Sequence, residues 1–282
     1  MKKILTIQDI SCIGKCSLTV ALPIISSMGI ETAILPTAVL STHTQFKGFT
    51  FHDLTGEIKP ICEHWKSQKI EFDAIYTGYL GSFEQINLVS GIFDDFGKNI
   101  LKFVDPAMGD NGVLYTGFDR AFAHEMAKLC AKADIIVPNL TEACFMLDIP
   151  YIDEGYSEDY VKDVLIKLIG LGCKKAVLTG ICLTPGKLGI YGYDSENNEF
   201  FSYENDFVGG KYHGTGDIYS SVCVGALLNG MNLRKASALA ADFVCESISA
   251  TVNDENPITY GVHFEKAIPG LCERLAAFKS GN

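Results

Sequence analysis

Short apolar runs alternate with longer amphipathic segments along the first two thirds of the chain, and this alternation constrains the fold more than any other feature. The runs typical of buried strands lie at residues 2–7, 31–36, 73–78, 100–105, 133–139 and 174–180. The segments between them repeat apolar residues at intervals of three and four, as helices with one buried face do. Strands that alternate with helices in this way predict a parallel sheet with helices on both faces.

The last third of the chain departs from that alternation. Two strand patterns at 187–193 and 199–205 flank the turn signal DSENN, which predicts an antiparallel hairpin at the edge of the sheet. Only helical patterns follow from Asp217 onward. No repeat, low-complexity tract or linker interrupts residues 1–282. We therefore predict a single α/β domain of three layers, with a mostly parallel central sheet, helices on both faces and an antiparallel edge hairpin.

Charge and apolar content exclude several classes of function. Acidic residues outnumber basic ones by 34 to 23, which disfavours general binding to nucleic acid or to an anionic membrane. The apolar start is too short before Gln8 and Asp9 for a signal peptide, and no apolar run reaches the length of about 18 residues that suggests a membrane span. The 10 cysteines include no CxxC pair and predict reduced, mostly buried thiols. We expect a cytoplasmic protein that acts on a small molecule and binds neither nucleic acid nor membrane.

The residues that follow most of the predicted strands are mostly polar. They are residues 8–11, Tyr79, Asp105, Asn139 and Thr179. Ligands of open α/β sheets bind beyond the carboxyl ends of the strands. We therefore expect a ligand site where these side chains meet.

The segment Gly214-Thr215-Gly216 stands at the start of a predicted helix and is followed at once by Asp217. Backbone N–H groups at a helix start lack intrahelical partners, and glycine lets a ligand approach them closely. Such an anion hole suits a phosphoryl group in transfer, and Asp217 is placed to accept a proton from an attacking hydroxyl. The segment is not a dinucleotide fingerprint, because Tyr219 replaces its third glycine. A simple helix cap formed by Asp217 remains an alternative.

Six motifs, in order along the chain, resemble the ribokinase-like superfamily of small-molecule kinases, and most closely its pyridoxal (pyridoxamine) kinases. The motifs are STHTQF (41–46), TGYLGS (77–82), VDPAMGD (104–110), VPNLTE (137–142), VLTG (177–180) and YHGTGD (212–217). Together with the serine at Ser11, they cover the chain as far as Asp217. The resemblance thus includes the segment Gly214-Thr215-Gly216, which we call the glycine turn.

The resemblance implies an enzyme that uses ATP and Mg²⁺ to phosphorylate the 5′-hydroxymethyl group of pyridoxal, pyridoxine or pyridoxamine. Gly214, Thr215 and Gly216 would surround the transferred phosphate, and Asp217 would be the base that also contacts the substrate. The same likeness implies a homodimer. A monovalent cation such as K⁺ beside the nucleotide, as in several relatives, stays open.

Nucleotide and metal residues are also implied by the resemblance. Asp105, Asp110 and Glu142 would hold magnesium directly or through water, and the residues implied for ATP are Asp105, Asn139, Glu142, Thr179 and Thr215, with the loop 181–187 bordering the nucleotide. Each has a structural alternative. The two aspartates could form a strand-end turn, Asn139 and Glu142 could be a capping pair, and Thr179 could belong to an ordinary turn.

The resemblance also implies residues that bind the vitamin substrate, and these lie in the first third of the chain. Ser11 and Thr44 would hydrogen-bond the polar edge of the pyridine ring, His43 belongs to the family's His-Thr pair, and Tyr79 would cover one face of the ring. Any one of them alone could be a core or loop residue. The turn after Ser11 is shorter than in many members, which leaves the residues of that turn without an assigned role.

Two other functions remain open at this stage. A hydroxymethylpyrimidine or sugar kinase would share the fold, although related pyrimidine kinases often carry cysteine in place of His213, and STHTQF is not a sugar-kinase feature. A non-catalytic protein that binds a vitamin or nucleotide would be expected to lack Asp217 or the glycines of the anion hole. Both are present.

Overall fold

The computed structural model describes residues 1–210 and 212–281. Its strands are β1 (Lys3–Ser11), β2 (Glu31–Leu40), β3 (Phe51–Asp53), β4 (Ala74–Thr77), β5 (Leu101–Val104), β6 (Gly109–Asp110), β7 (Val113–Leu114), β8 (Ile135–Ile136), β9 (Lys175–Ile181), β10 (Lys187–Asp194) and β11 (Glu199–Asp206). Its helices are α1 (Leu18–Ser27), α2 (Thr55–Ser67), α3 (Phe83–Phe96), α4 (Arg120–Cys130), α5 (Leu140–Leu147), α6 (Glu158–Gly170), α7 (Thr215–Leu228), α8 (Leu233–Val252) and α9 (Phe264–Ser280).

Within the described residues, nine strands form one central sheet in the order β11-β10-β9-β8-β5-β4-β1-β2-β3. The six strands from β9 to β2 run parallel to one another. The predicted antiparallel hairpin is confirmed, because β10 and β11 pair with each other and β10 pairs antiparallel with β9. A second antiparallel strand, β3, closes the opposite edge beside β2. Its three residues are all exposed, so it lacks the apolar pattern that marks a strand in the sequence.

Helices cover both faces of the sheet and create two apolar cores, which confirms the predicted three layers. One core holds buried side chains of α2 to α6, and the other holds those of α1, α7, α8 and α9. Adjacent residues of one strand place their side chains in opposite cores. In β1, for example, Ile4 packs into the second core and Leu5 into the first. This follows from the pleat, which points successive side chains to opposite faces.

The prediction that residues 8–11 follow the first strand is wrong. β1 continues to Ser11, with a shift of register against β2 between Gln8 and Ile10. Gln8 is fully buried, and its side chain packs against Gly78. A Cβ added to Gly78 would lie 2.9 Å from the Gln8 amide carbon. Thr179 likewise lies inside β9 and not at its end. Polar side chains inside a strand interrupt the apolar pattern, so the pattern ends before the strand does.

Helix α7 is mostly apolar and is enclosed within the protein, with every residue from Ile218 to Ala226 buried. It spans 14 residues, fewer than the roughly 20 that a membrane-crossing helix needs. Within residues 1–210 and 212–281, no helix has both the length and the apolar character to cross a membrane. α7 packs against α1 and α8, and Ser220 donates a hydrogen bond to Asp105, so the start of the helix lies beside the end of β5.

Candidate active site

The glycine turn forms the N-terminus of α7 and has a conformation that other residues rarely adopt. Gly214 is the N-cap residue of the helix, with φ of 77°. A Cβ added to Gly214 would lie 2.0 Å from the carbonyl oxygen of Lys15, so the backbone of the turn between β1 and α1 contacts it directly. The first intrahelical bond runs from the Ile218 N–H to the Gly214 carbonyl. The N–H groups that precede Ile218 therefore have no carbonyl partner within the helix.

Asp217 lies in the first turn of α7 and is only partly exposed. Burial, followed by repulsion from Asp105, raises the pKa of Asp217 to about 7. The backbone N–H of Ser17 interacts with the carboxylate and opposes that rise in pKa. A carboxyl group with a pKa near neutrality is well matched to accepting a proton at physiological pH.

Asp105 follows β5 and faces the same turn. Its Oδ2 accepts a hydrogen bond of 2.7 Å from the hydroxyl of Ser220, and its Oδ1 accepts a weaker one of 3.3 Å from the Ala107 N–H. A Cβ on Gly216 would be 3.9 Å from the same Oδ2, which places this carboxylate beside the glycine turn. Burial raises the pKa of Asp105 to about 6.

Asn139 and Glu142 form a capping box at the start of α5, so the capping pair that the sequence left open as their alternative role is present. The Asn139 side chain accepts from the Glu142 N–H at 2.9 Å, while Glu142 accepts from the Asn139 N–H at 2.9 Å and from the Met108 N–H at 3.0 Å. Glu142 is nevertheless buried, and burial together with the charge of Asp105 raises its pKa to about 8. The cap therefore holds a second acidic group next to Asp105.

The acidic groups fit a divalent cation that retains much of its water. Among the described residues, no three His, Cys, Asp or Glu side chains are placed to enclose a metal ion. Asp105 and Glu142 are buried and repel each other, so a positive charge nearby would stabilise both. Asp110 is exposed, and its carboxylate accepts from the backbone and side chain of Asn111 at 2.9 and 2.6 Å. Magnesium binds in this manner, through few carboxylates and several waters and phosphates.

A cavity of about 530 Å³ lies beside these groups. Three residues predicted for the nucleotide and metal line it together: Asp110, Asn139 and Thr179. Thr179 is half-buried and forms a parallel bridge with Asn139. The other walls include Tyr151, Tyr156, Leu183, Pro185 and Leu188, so the loop expected to border a nucleotide does line the cavity. Aromatic and aliphatic walls with a few polar groups suit a planar base joined to phosphates.

Ser11 and Tyr79 lie near a buried carboxylate that was not predicted as a site residue. The Ser11 hydroxyl donates to Oδ2 of Asp9 at 3.0 Å, and Asp9 is only 5% exposed. Tyr79 is half-buried, and its ring centroid is 5.6 Å from that of Phe118. Burial and the charge of Asp9 raise the pKa of Tyr79. Together these groups supply an aromatic wall and a polar edge, as expected for a planar ligand.

His43 is buried in a cluster of rings. Its ring centroid is 4.6 Å from that of His213, and its Nε2 is 3.0 Å from the carbonyl oxygen of Tyr260. Burial and the neighbouring His43 lower the pKa of His213 to about 4, so His213 is neutral at physiological pH. Thr44 is exposed and lies next to this cluster in the chain. Through this ring contact, the loop after β2 packs against His213, the residue that precedes the glycine turn.

Three further residues join the site although the sequence assigned none of them an individual role there. Asp9 accepts hydrogen bonds from Ser11 and Ser17, and Ser220 donates to Asp105. Ser220 carries a weak sequence signal, because it stands one helical turn after Asp217 and would point toward the same end of the sheet. Asp9 and Ser17 carry no comparable signal, since their pairing depends on the path of the turn between β1 and α1.

Comparison with known proteins places the chain among kinases. The family described as phosphomethylpyrimidine kinase matches residues 25–259. A crystal structure from Bacteroides thetaiotaomicron, described as a candidate phosphomethylpyrimidine kinase and containing pyridoxal, is 41% identical with a TM-score of 0.91, and the match covers 96% of this chain and 95% of that one. The structure of pyridoxal kinase from Lactobacillus plantarum is 28% identical with a TM-score of 0.89, over 97% of this chain and 98% of that one. Pyridoxal kinase of Dictyostelium discoideum is 26% identical over 96% of this chain and 90% of that protein.

Proposed function

The chain belongs to the phosphomethylpyrimidine kinase family, and from that premise we propose that it transfers the γ-phosphoryl group of ATP to the 5′-hydroxymethyl group of pyridoxal, pyridoxine or pyridoxamine. The resemblance to pyridoxal kinases and the ribokinase-like fold are both confirmed. The observation that carries the proposal is the placement of Asp217, whose pKa lies near 7, directly after a glycine turn at a helix N-terminus.

In the proposed reaction, the substrate hydroxyl attacks the γ-phosphorus as its proton passes to the carboxylate of Asp217. A bond forms between the 5′ oxygen and phosphorus while the bond from phosphorus to the bridging oxygen of ADP breaks. The N–H groups of Gly214, Thr215 and Gly216 face the phosphoryl oxygens, where the helix dipole also favours negative charge. The backbone of Lys15 packs directly against this turn, and donors placed in advance in this way need little reorganisation during the reaction.

Magnesium would be held near Asp105 and Glu142, mainly through water, with Asp110 at the exposed side. When bound, it supplies positive charge that offsets the phosphate oxygens of the nucleotide. The protein's own part is to keep Asp105 and Glu142 in place. Ser220 orients Asp105, and the capping box orients Glu142.

We assign the nucleotide to the cavity of about 530 Å³ and the vitamin to the region around Ser11. Asn139, Thr179 and Thr215 would contact the phosphates. The vitamin ring would lie against Tyr79, with Ser11 and Thr44 at its polar edge and His43 supporting that wall through its contact with His213. The support for this arrangement is that both groups of residues flank the same helix N-terminus.

A substrate panel tests the proposal. ADP release with Mg·ATP is measured against pyridoxal, pyridoxine, pyridoxamine, hydroxymethylpyrimidine and ribose, with phosphorylated products identified by mass spectrometry. We expect turnover with the vitamin B6 forms and at least about 100-fold lower kcat/KM with ribose, because ribose lacks the aromatic face that the pocket wall would contact. Release of ADP with no B6 phosphate formed would contradict the proposal.

Hydroxymethylpyrimidine is the second candidate substrate, since the matching family is described by a pyrimidine kinase activity. It is also a planar heteroaromatic ring with a hydroxymethyl group. The same panel decides between the two. A higher kcat/KM with hydroxymethylpyrimidine than with every B6 form would keep the catalytic centre and overturn the substrate assignment.

The acidic centre predicts an unusual dependence of stability on pH. The folded-state pKa values of Asp105, Asp217 and Glu142 are raised to about 6, 7 and 8. Groups with raised pKa values bind more protons in the folded than in the unfolded protein, so their stabilising contribution is lost as pH rises through those values. We expect Tm of the metal-free protein to fall between about pH 5 and 8.

Glu142→Gln is the matched variant for this prediction, because glutamine keeps a capping-box side chain but cannot ionise. Tm of this variant should fall less over the same pH range when both proteins are followed by scanning calorimetry. Parallel Tm curves for the two proteins would show that Glu142 does not titrate in this range.

A further inference from the structure

Ser17 has a backbone conformation that its surroundings impose. It precedes α1 with φ of 51° and ψ of −134°, a combination that is normally restricted to glycine. Lys15, two residues earlier in the same turn, also has a positive φ of 50°. Residues with a Cβ persist in such conformations only where other contacts compensate, and they concentrate at functional sites.

The Ser17 side chain does not perform the usual task of its position. Serine at a helix start commonly accepts a hydrogen bond from the backbone of the first turn, but no such bond is formed here. Its hydroxyl instead donates to Oδ1 of Asp9 at 2.6 Å, and both groups are about 5% exposed. The other carboxylate oxygen of Asp9 accepts from Ser11 at 3.0 Å. Ser17 is therefore fixed to β1 through a buried hydrogen bond.

The backbone of this turn lies against the glycine turn of α7. A Cβ on Gly214 would be 2.0 Å from the Lys15 carbonyl oxygen and 3.4 Å from the Cα of Cys16. Asp217 follows the glycine turn directly, three residues after Gly214. A right-handed helical or extended conformation at Ser17 would move the backbone of Lys15 and Cys16 relative to Gly214, since rotation about φ and ψ changes the direction of the chain on either side.

We propose that Ser17 is a positioning residue for Asp217: the hydroxyl bond to Asp9 holds the strained backbone that packs against Gly214, and this contact sets the position of the first turn of α7. The carboxylate of Asp217 is thereby held where it can accept the proton of the substrate hydroxyl. This inference rests on the proposed function of Asp217 as the base. It assigns Asp9 and Ser17 to the alignment of the base rather than to contact with either substrate.

The test compares Ser17→Ala and Ser17→Gly with Thr19→Ala. Alanine keeps the Cβ that makes this backbone unfavourable and loses the anchor, whereas glycine tolerates the same backbone without strain but is no longer held in it by Asp9. Thr19 is the matched control, because its hydroxyl donates to the Cys16 carbonyl at 2.8 Å in the same region and, among the described residues, forms no hydrogen bond with Asp9 or Asp217. For each protein, kcat, KM for pyridoxal, KM for Mg·ATP and Tm are measured.

We expect kcat to fall about 10-fold or more in both Ser17 variants, with each KM within about twofold of the unmodified enzyme, because a displaced base slows the chemical step without weakening binding. Ser17→Gly should keep or raise Tm although it loses activity, because glycine relieves the backbone strain. Thr19→Ala should keep kcat within about twofold. Unchanged kcat in Ser17→Gly, or a joint rise of both KM values with the fall in kcat, would overturn the inference.

A spectroscopic readout separates this inference from the proposed function. The ¹³C carboxyl resonance of Asp217, identified by its absence in Asp217→Asn, should move in both Ser17 variants and stay in place in Thr19→Ala. If the resonance moves while Asp217→Asn retains normal turnover, the base role is wrong but the positioning by Ser17 holds. If the resonance is unmoved and Asp217→Asn is inactive, the base role holds and the positioning is wrong.

Discussion

Asp217→Asn should lower kcat by about 10³-fold, because asparagine has the shape of aspartate but cannot accept the proton of the substrate hydroxyl. The dissociation constants of pyridoxal and Mg·ADP should change by less than about threefold, since the lost interaction operates during proton transfer and not in the bound ground state. Steady-state kinetics give the first value, and isothermal titration calorimetry gives the others.

Asp163→Asn is the control for this substitution. Asp163 lies on α6 and pairs with Lys167, so the variant removes one negative charge of the same kind outside the site. We expect its kcat to match that of the unmodified enzyme. Turnover in Asp217→Asn within about tenfold of normal would exclude Asp217 as the general base, since such a base contributes about 10²-fold or more.

Gly214→Ala should both destabilise the fold and abolish turnover. A methyl group at this position would lie 2.0 Å from the Lys15 carbonyl oxygen, and the φ of 77° is unfavourable for alanine. A side-chain rotation can relieve neither problem, because the clash is with a backbone oxygen and the strain lies in the backbone φ angle. We expect the free energy of unfolding to fall by about 2–4 kcal/mol, and the displaced turn to lose its alignment with the phosphoryl group.

Gly91→Ala provides the contrast. Gly91 lies inside α3, and an added Cβ would meet no atom within 4 Å. Alanine there should be neutral or stabilise the protein by up to about 1 kcal/mol, with unchanged kcat. Urea unfolding and the ADP-release assay check both variants. A Gly214→Ala protein with normal stability would show that the backbone of Lys15 can move away, contrary to the close contact described above.

Local patterns along the chain were sufficient to predict the layers and the order of the elements. The alternation of apolar runs and amphipathic segments predicted the parallel strands and the flanking helices, and DSENN predicted the edge hairpin between β10 and β11. These features arise within short windows, where the periodicity of apolar residues and the turn residues act on their neighbours. Strand β3 and the small hairpin of β6 and β7 carry no apolar periodicity, so they were not predicted.

The motifs of the sequence identified the glycine turn and Asp217, but they did not identify the residues that orient them. Ser220 and Asp105 are 115 positions apart and share a hydrogen bond because α7 packs above the end of β5. Asp9 and Ser17 are close in sequence, yet their link to Asp217 exists only because the turn between β1 and α1 contacts Gly214.

The sequence by itself therefore determined most of the secondary structure, the layered architecture and the residues with evident chemistry. Only the tertiary structure decided which carboxylates share one buried space, which hydroxyls orient them and how far their pKa values rise. Apolar periodicity depends on residues within one or two helical turns or a few strand positions. The pKa of a buried acid depends instead on the solvent it loses and on charges brought near it by distant parts of the chain.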